Sequence, residues 1–425
     1  MFETKEVKEK YILVAVDVGN GNVSESLDEL EELVNTAGAE VVLKVIQPRE
    51  SIHPGTYIGK GKIEELKENL ITFEADGIIA DDELSPAQYK NLEDALDCKV
   101  MDRTLIILDI FAGRAKTKEG KIQVELAQLK YRSSRLIGMK NLSRQGGTAA
   151  GAHSGVGIGS RGPGEKKLEI DRRIIRERIA QLKKEVDEIK GHRELTRKSR
   201  MKQGLLNAAI VGYTNAGKST LLNTLTDANV LEEDKLFATL DPTTRVCKLS
   251  DGQEVLLTDT VGFIRKLPHH LIDAFRSTLE EALYADIIIH VVDVSNSASD
   301  RHVEAVYETL DGLGVLDVPI ITLFNKIDRL EIDGKEPIKI VDERADVVIK
   351  TSVKQGIGLD ELDSSLRRII SESKKYVSCV IPYVDMGKIQ IIREQGTLFK
   401  EEYRDEGVYV EGYVERYVKE FDNYK

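Results

Sequence analysis

Gly212-Tyr213-Thr214-Asn215-Ala216-Gly217-Lys218-Ser219 follows the short apolar run Ala208–Val211, and the reading of this stretch decides the fold. The run reads as a buried strand and the loop as the entrance to a helix, the setting that a phosphate-binding P-loop requires. Glycines at 212 and 217 let the backbone curl so that successive N–H groups face a polyphosphate, and the helix N-terminus adds partial positive charge. Lys218 is placed to bridge the β- and γ-phosphates, and Ser219, followed by Thr220, to ligate Mg²⁺.

Four further stretches follow in order. The threonine-rich run Phe237-Ala238-Thr239-Leu240-Asp241 and onward to Arg245 lies in the linker after the first helix; Thr239 is the chosen second Mg²⁺ hydroxyl, with Thr243 and Thr244 as competitors. Asp259-Thr260-Val261-Gly262 ends the apolar run Val255–Leu257, so Asp259 is expected at a strand end, holding the metal through water, with the Gly262 N–H facing the γ-phosphate. Asn325-Lys326-Ile327-Asp328 follows the apolar run Ile320–Phe324. Asp328 accepts two hydrogen bonds from the guanine edge, which adenine cannot donate, Asn325 braces the loop and Lys326 lays its stem over the base. Thr351-Ser352-Val353 completes the set. These residues together specify a GTP-binding switch with Lys218, Thr239, Gly262 and Asn215 as the candidate catalytic groups.

One position departs from the Ras pattern. Where a Gln would orient the attacking water, this chain has Phe263, which has no side-chain hydrogen-bonding group, so slow intrinsic hydrolysis is expected. Two remedies are open. Asn215 occupies the loop position at which related tRNA-modification GTPases hold K⁺, although it also reads as a loop-bracing amide; alternatively a large partner orders the switch segments.

The 425 residues, 41% hydrophobic and 32% charged, are enough for two or three domains with their own cores. Met1–Lys10 is charged and lacks the apolar segment of a secretory leader, and no run approaches the roughly 18 apolar residues that span a bilayer. Cys98, Cys247 and Cys379 stand apart, which suggests neither a disulfide framework nor a metal site. A cytoplasmic monomer is expected.

The net charge of −12 conceals a segregation. Between Ala112 and Lys202 there are 24 Lys and Arg against 10 Asp and Glu, a footprint of polyanion binding. Ile122, Leu126, Leu129 and Leu136 fall on one helical face; Leu168, Ile175, Leu182 and Ile189 recur every seven residues with Ile179 and Val186 interleaved, the seam of a coiled coil. Between them Arg144–Gly164 carries eight glycines. The expectation is an antiparallel helical arm with this loop at its tip, mobile or folding onto RNA through Arg144, Arg161 and Lys166.

Tyr11–Val16, Val41–Ile46, Gly77–Ala80 and Lys99–Met101 read as strands alternating with helices near 27–37, 63–73 and 86–96, a small parallel α/β domain. Gly59-Lys60-Gly61-Lys62 lacks P-loop spacing and reads as a plain basic loop. The tail from Tyr376 is rich in tyrosine and acidic, so core packing is the expected use of its rings. The fold class is therefore α/β, in four parts: an N-terminal parallel α/β domain (1–111), a basic helical hairpin with a Gly-rich loop (112–203), a P-loop GTPase domain (204–373) and a small C-terminal α+β appendix (374–425).

The run Gly155–Arg178, with Ser160-Arg161-Gly162-Pro163-Gly164-Glu165 and Asp171-Arg172-Arg173, together with the P-loop and Phe237–Arg245, resembles the HflX family of translational GTPases over nearly the whole chain. The resemblance implies a partly ribosome-associated GTPase that binds the large subunit and its rRNA in the GTP form and splits stalled or idle ribosomes under stress. It also implies Thr239 as the switch metal ligand. An assembly GTPase of the Obg or Era sort, and a GTP-gated regulator of a protein partner, are the alternative readings.

Overall fold

The computed structural model describes residues 8–19, 21, 23–145, 163–202, 206–226, 236–237, 242–266, 279–315, 318–332, 341–415 and 421. These fall into two compact units. One runs to Asp187 and also holds Leu236, Phe237 and Lys266; the other comprises the remaining described residues from Glu188 onward.

In the first unit, β1 (Lys10–Asp17) is buried from Tyr11 to Val16. Such an unbroken apolar strand belongs in a parallel sheet covered on both faces. It pairs in parallel with β2 (Glu40–Pro48) and β3 (Gly77–Ala80), and β4 (Lys99–Asp102) completes the order β2-β1-β3-β4. Helices α1 (Val23–Thr36), α2 (Lys60–Thr72) and α3 (Pro86–Leu96) lie between successive strands, and α4 (Arg103–Arg114) follows β4. Local chemistry sets the boundaries. Ser85 and Gln88 form a reciprocal capping box ahead of Pro86, and α3 ends at Asp97 in the left-handed conformation. The basic Gly59–Lys62 stretch is the start of α2, where the Gly59 N–H donates to Gln47 Oε1 at 2.8 Å.

The arm is built on α5 (Lys118–Gln145) and α6 (Pro163–Lys202). Asp102, fully buried, caps α4 through the Leu105 N–H and accepts bonds from Tyr131 and Arg135 of α5, which anchors α5 at the end of β4. Burial pushes the Asp102 carboxyl up from its ordinary range, against the pull of Arg135. Closer to the start of α5, Arg178 of α6 grips Glu125 at 2.7 and 2.9 Å. Nearer the tip Arg132 and Arg135 share a cleft with Asp171, Ile174 and Ile175. Advancing along α5 thus means receding along α6, so the helices run antiparallel. Leu182 is fully buried, whereas Ile170 and Ile174, off the seven-residue seam, are exposed. The Gly-rich loop, 146–162, lies outside the described residues.

The second unit is organised by β5 (Leu206–Gly212), β6 (Thr243–Lys248), β7 (Glu254–Asp259), β8 (Ile287–Asp293), β9 (Ile320–Asn325) and β10 (Val347–Lys350). Their order is β10-β9-β8-β5-β7-β6, parallel throughout except for β6 against β7. α7 (Lys218–Thr226), α8 (Ser299–Leu313), α9 (Ile327–Ile332) and α10 (Leu359–Ser373) complete this fold. The core runs from Ala208 and Ile210 through Val255, Leu257, Ile289 and Leu323 to Leu362 and Leu366.

The chain closes with β11 (Lys374–Ile381), α11 (Gly387–Gln395), β12 (Gly396–Arg404) and β13 (Gly407–Glu415), an antiparallel sheet in the order β11-β13-β12. Among the described residues its tyrosines do not form the core. Val377, Cys379, Ile381, Ile389, Ile392, Val408, Val410 and Val414 do, while Tyr376, Tyr383 and Tyr403 are about half exposed or more. For Tyr376 the period-2 alternation explains this: the core valines of β13 take one face and the rings of Tyr376, Tyr413 and Phe399 meet edge-on upon the other.

Candidate functional site

β5 lies between β7 and β8, so its C-terminal end is flanked by theirs, and the loop Gly212–Lys218 leaves the sheet there for α7. Two glycines are forced by close approach. A methyl group on Gly212 (φ +152°) would stand 2.3 Å from the Val291 carbonyl oxygen, and one on Gly217 (φ +104°) 2.4 Å from Asn325 Nδ2. The second contact shows why Asn325, 108 positions on in sequence, is part of the loop: its Nδ2 donates to the Ala216 carbonyl at 2.9 Å and its Oδ1 accepts the Val353 N–H at 3.0 Å.

Lys218 is buried and donates to the Tyr213 carbonyl at 2.7 Å. Burial pushes its ammonium down to about 8, with Lys326 adding to the effect and Asp259 opposing it. Ser219 Oγ donates to Asp259 Oδ2 at 2.8 Å, which sets a hydroxyl and a carboxylate side by side at the start of α7. This oxygen pair suits a hard divalent cation such as Mg²⁺. The Thr214 hydroxyl on the loop is buried with no hydrogen-bond partner among the described residues, as expected of a loop made to meet a ligand. Thr220 occupies the first turn of α7.

Gly262 is packed against the loop, and a methyl group there would lie 2.8 Å from Thr214 Cγ2 and 3.1 Å from Lys218 Nζ. Thr260 is buried, its hydroxyl donating to the Ile210 carbonyl, and Val261 is buried beside it. On the base side, Ser352 Oγ donates to Asp328 Oδ1 at 2.7 Å, the Thr351 N–H to the Phe324 carbonyl at 2.8 Å, and the Ile327 N–H to the Thr351 carbonyl at 3.3 Å. Asn325, Lys326, Asp328, Thr351, Ser352 and Val353 therefore converge with the phosphate loop.

Lys326 (φ +68°) donates to the Asn215 carbonyl at 2.8 Å and to Asp293 Oδ2 at 2.7 Å. Asp293, held in turn by the N–H and hydroxyl of Ser295, was not singled out in the sequence, although it ends an apolar strand run just as Asp259 does. Asn215 itself is exposed in the left-handed conformation. Phe263 is more than an absent Gln: its ring is buried, its N–H donates to the Gly212 carbonyl at 3.1 Å and its carbonyl accepts the Thr214 N–H at 2.9 Å.

Phe237 belongs to the first unit, buried with its ring edge-on to Phe111 at 4.6 Å. Ala238, Thr239, Leu240 and Asp241 lie outside the described residues, as does Arg161. Arg144 and Lys166 are placed only by the backbones of α5 and α6. Among the described residues no group of three or more His, Cys, Asp or Glu is placed to hold a metal, and no helix is long and apolar enough to cross a membrane.

A parallel sheet whose phosphate loop is bonded to a guanine-type Asn-Lys-x-Asp loop defines a P-loop GTPase. Residues 207–326 match the family described as 50S ribosome-binding GTPase, and residues 24–112 and 114–200 match the N-terminal and middle regions of GTP-binding GTPases. The chain belongs to the HflX family of GTPases. It is 59% identical to GTPase HflX of Lacrimispora saccharolytica over 97% of this chain and 95% of that one, and 48% identical to GTPase HflX of Caldanaerobacter subterraneus subsp. tengcongensis over 99% and 94%. Among solved structures, the SsGBP and GDP complex is similar at 26% identity and a TM-score of 0.45, over 86% of this chain and 99% of that one.

Proposed function

We propose that this GTPase binds the large ribosomal subunit in its GTP form and separates stalled or idle ribosomes, and that hydrolysis ends the engagement. The observation that carries the reading is the basic antiparallel arm, keyed by Glu125 and Arg178, in the same chain as the guanine-type site. A segment with 24 cations and 10 anions in an otherwise acidic protein is built for a polyanion. The match over 207–326 to a family described as 50S ribosome-binding supports rRNA as that polyanion.

In the nucleotide site the backbone N–H groups of 212–218 cradle the phosphates, and Lys218 turns from the Tyr213 carbonyl to the β- and γ-phosphates. Asp328 and Ser352 receive the guanine edge, and Lys326, steadied by Asp293, covers the ring. Ser219, Thr239 and, through water, Asp259 would hold Mg²⁺, which supplies neutralisation of charge on the phosphates. The Gly262 N–H bonds the γ-phosphate and draws the segment after it into a GTP-specific posture. Water attacks the γ-phosphorus as the bond to the bridging oxygen breaks, leaving GDP and inorganic phosphate. Arg144, Arg161 and Lys166 contact rRNA phosphates from the arm.

Asn215 is assigned to a K⁺ site that promotes turnover, and equal hydrolysis rates in KCl and NaCl would remove that assignment. For the function itself, extract is run on a sucrose gradient with a non-hydrolysable GTP analogue. Co-migration with mature large subunits supports ribosome splitting. Migration with precursor particles points instead to assembly, and retention at the top to a protein-directed regulator.

A further inference from the structure

The phosphate cradle uses only backbone at position 213, yet Tyr213 carries a large, buried side chain there. Its ring lies parallel to that of His302 on α8, with centroids 3.7 Å apart and planes 7° from parallel. Its phenol oxygen accepts the Arg265 N–H at 2.9 Å. Two backbone bonds flank that one, from the Thr214 N–H to the Phe263 carbonyl and from the Phe263 N–H to the Gly212 carbonyl, in a parallel bridge between 213 and 263. Phe263 and Arg265, just after Gly262, are thus zipped to the phosphate loop, and two of the three bonds come from the main chain that every loop of this kind possesses. The third, with its stacking support, depends on the tyrosine.

Position matters here because the side chain that would orient water is missing. With Phe263 in place of a Gln, placement of the γ-phosphate and its attacking water falls to main-chain groups around Gly262. Gly262 has no slack, since its neighbours already stand within contact distance of a methyl group. A small displacement of 263–265 would therefore misdirect the Gly262 N–H, and misplacements on the order of 1 Å cost about 100-fold in rate when they affect reacting groups.

We propose that Tyr213 is a positioning residue for GTP hydrolysis: buttressed by His302, its hydroxyl latches Arg265 and so fixes Gly262 against the γ-phosphate. The inference rests on the role proposed above for Gly262.

The test uses the full chain with Mg²⁺. Tyr213→Phe keeps the stack and loses the hydroxyl; His302→Ala loses the stack; His302→Phe restores an aromatic face without the imidazole. Tyr213→Phe and His302→Ala are each expected to lower kcat about tenfold, or about 1.4 kcal/mol, with KM and GDP affinity within about twofold of wild type and unchanged melting temperature. His302→Phe is expected to recover most of the loss. The double variant Tyr213→Phe/His302→Ala is expected to lose little more than either alone, because both break one latch.

An unchanged kcat in Tyr213→Phe overturns the proposal. So does a parallel loss of GDP affinity and kcat, which would mark a general support of the loop. Gly262→Ala reads the underlying assignment separately: loss of GTP preference over GDP upholds it, whereas unchanged preference removes it and the latch together.

Discussion

Lys326 and Asp293 form an ion pair of 2.7 Å in which both side chains are mostly buried, and the same ammonium donates to the Asn215 carbonyl. The pair fixes the lysine whose stem is assigned to cover the guanine. Hydrogen bonds to charged groups contribute about 1.5–3 kcal/mol. Asp293→Asn is expected to weaken GTP and GDP binding about tenfold and equally, since the base is common to both; calorimetric titration reads the two constants. Wild-type affinity would mean that Lys326 is held without Asp293.

Asp328 is proposed to discriminate by accepting from two donors on the base. Xanthine offers an acceptor where guanine has its amino group, so Asp328→Asn, which can donate, is expected to lose at least about 100-fold in GTP affinity and to gain in affinity for xanthosine triphosphate. Competition against a fluorescent nucleotide measures both; simultaneous loss of the two nucleotides would indicate a collapsed loop.

Local features are the ones legible in the sequence. The strand alternation from Tyr11 to Met101 matches β1 to β4 closely, and the apolar runs before Gly212, Asp259 and Asn325 mark β5, β7 and β9. Apolar runs and glycine positions carry that information within a few residues. Asp293 with Lys326, and Tyr213 with His302 and Arg265, pair residues 33 to 89 positions apart, and only the sheet order brings them together. The C-terminal tyrosines differ from expectation for a related reason: composition signals aromatic packing, but the register with β13 sets Tyr376 opposite Tyr413, on the face away from the aliphatic core.

Lys218 predicts a pH dependence. Its ammonium is pushed from 10.5 down to about 8 by burial, and adjacent phosphates favour the charged form. Above about pH 8 nucleotide binding must therefore take up a proton, and affinity falls with rising pH by up to about tenfold per unit; below about pH 7 this group contributes no dependence. Titration in buffers of different ionisation heats should reveal proton uptake at about pH 8.5 and none from Lys218 at about pH 6.5. The linkage for stability runs the opposite way. Between about pH 8 and 10.5 the unfolded chain holds a proton that the nucleotide-free fold does not, so the destabilisation due to Lys218 diminishes as pH rises through that window.

The arm predicts a salt dependence. If it neutralises several rRNA phosphates, the logarithm of ribosome affinity falls with the logarithm of salt with a slope of about −0.7 to −0.9 per contact. Arg144→Glu with Arg161→Glu is expected to abolish association with large subunits while GTP affinity stays at the wild-type value. Pelleting assays across a salt series, run beside nucleotide titrations, check both.

Coupling between the guanine site and ribosome binding is central to the proposed function. Such coupling is reciprocal, so a ribosome held more tightly in the GTP state must tighten GTP binding by the same factor, typically about 5- to 150-fold. The decisive measurement is the dissociation constant of a non-hydrolysable GTP analogue with and without purified large subunits. A constant lowered at least about fivefold by the subunits is the predicted result; an identical constant in both conditions would contradict it.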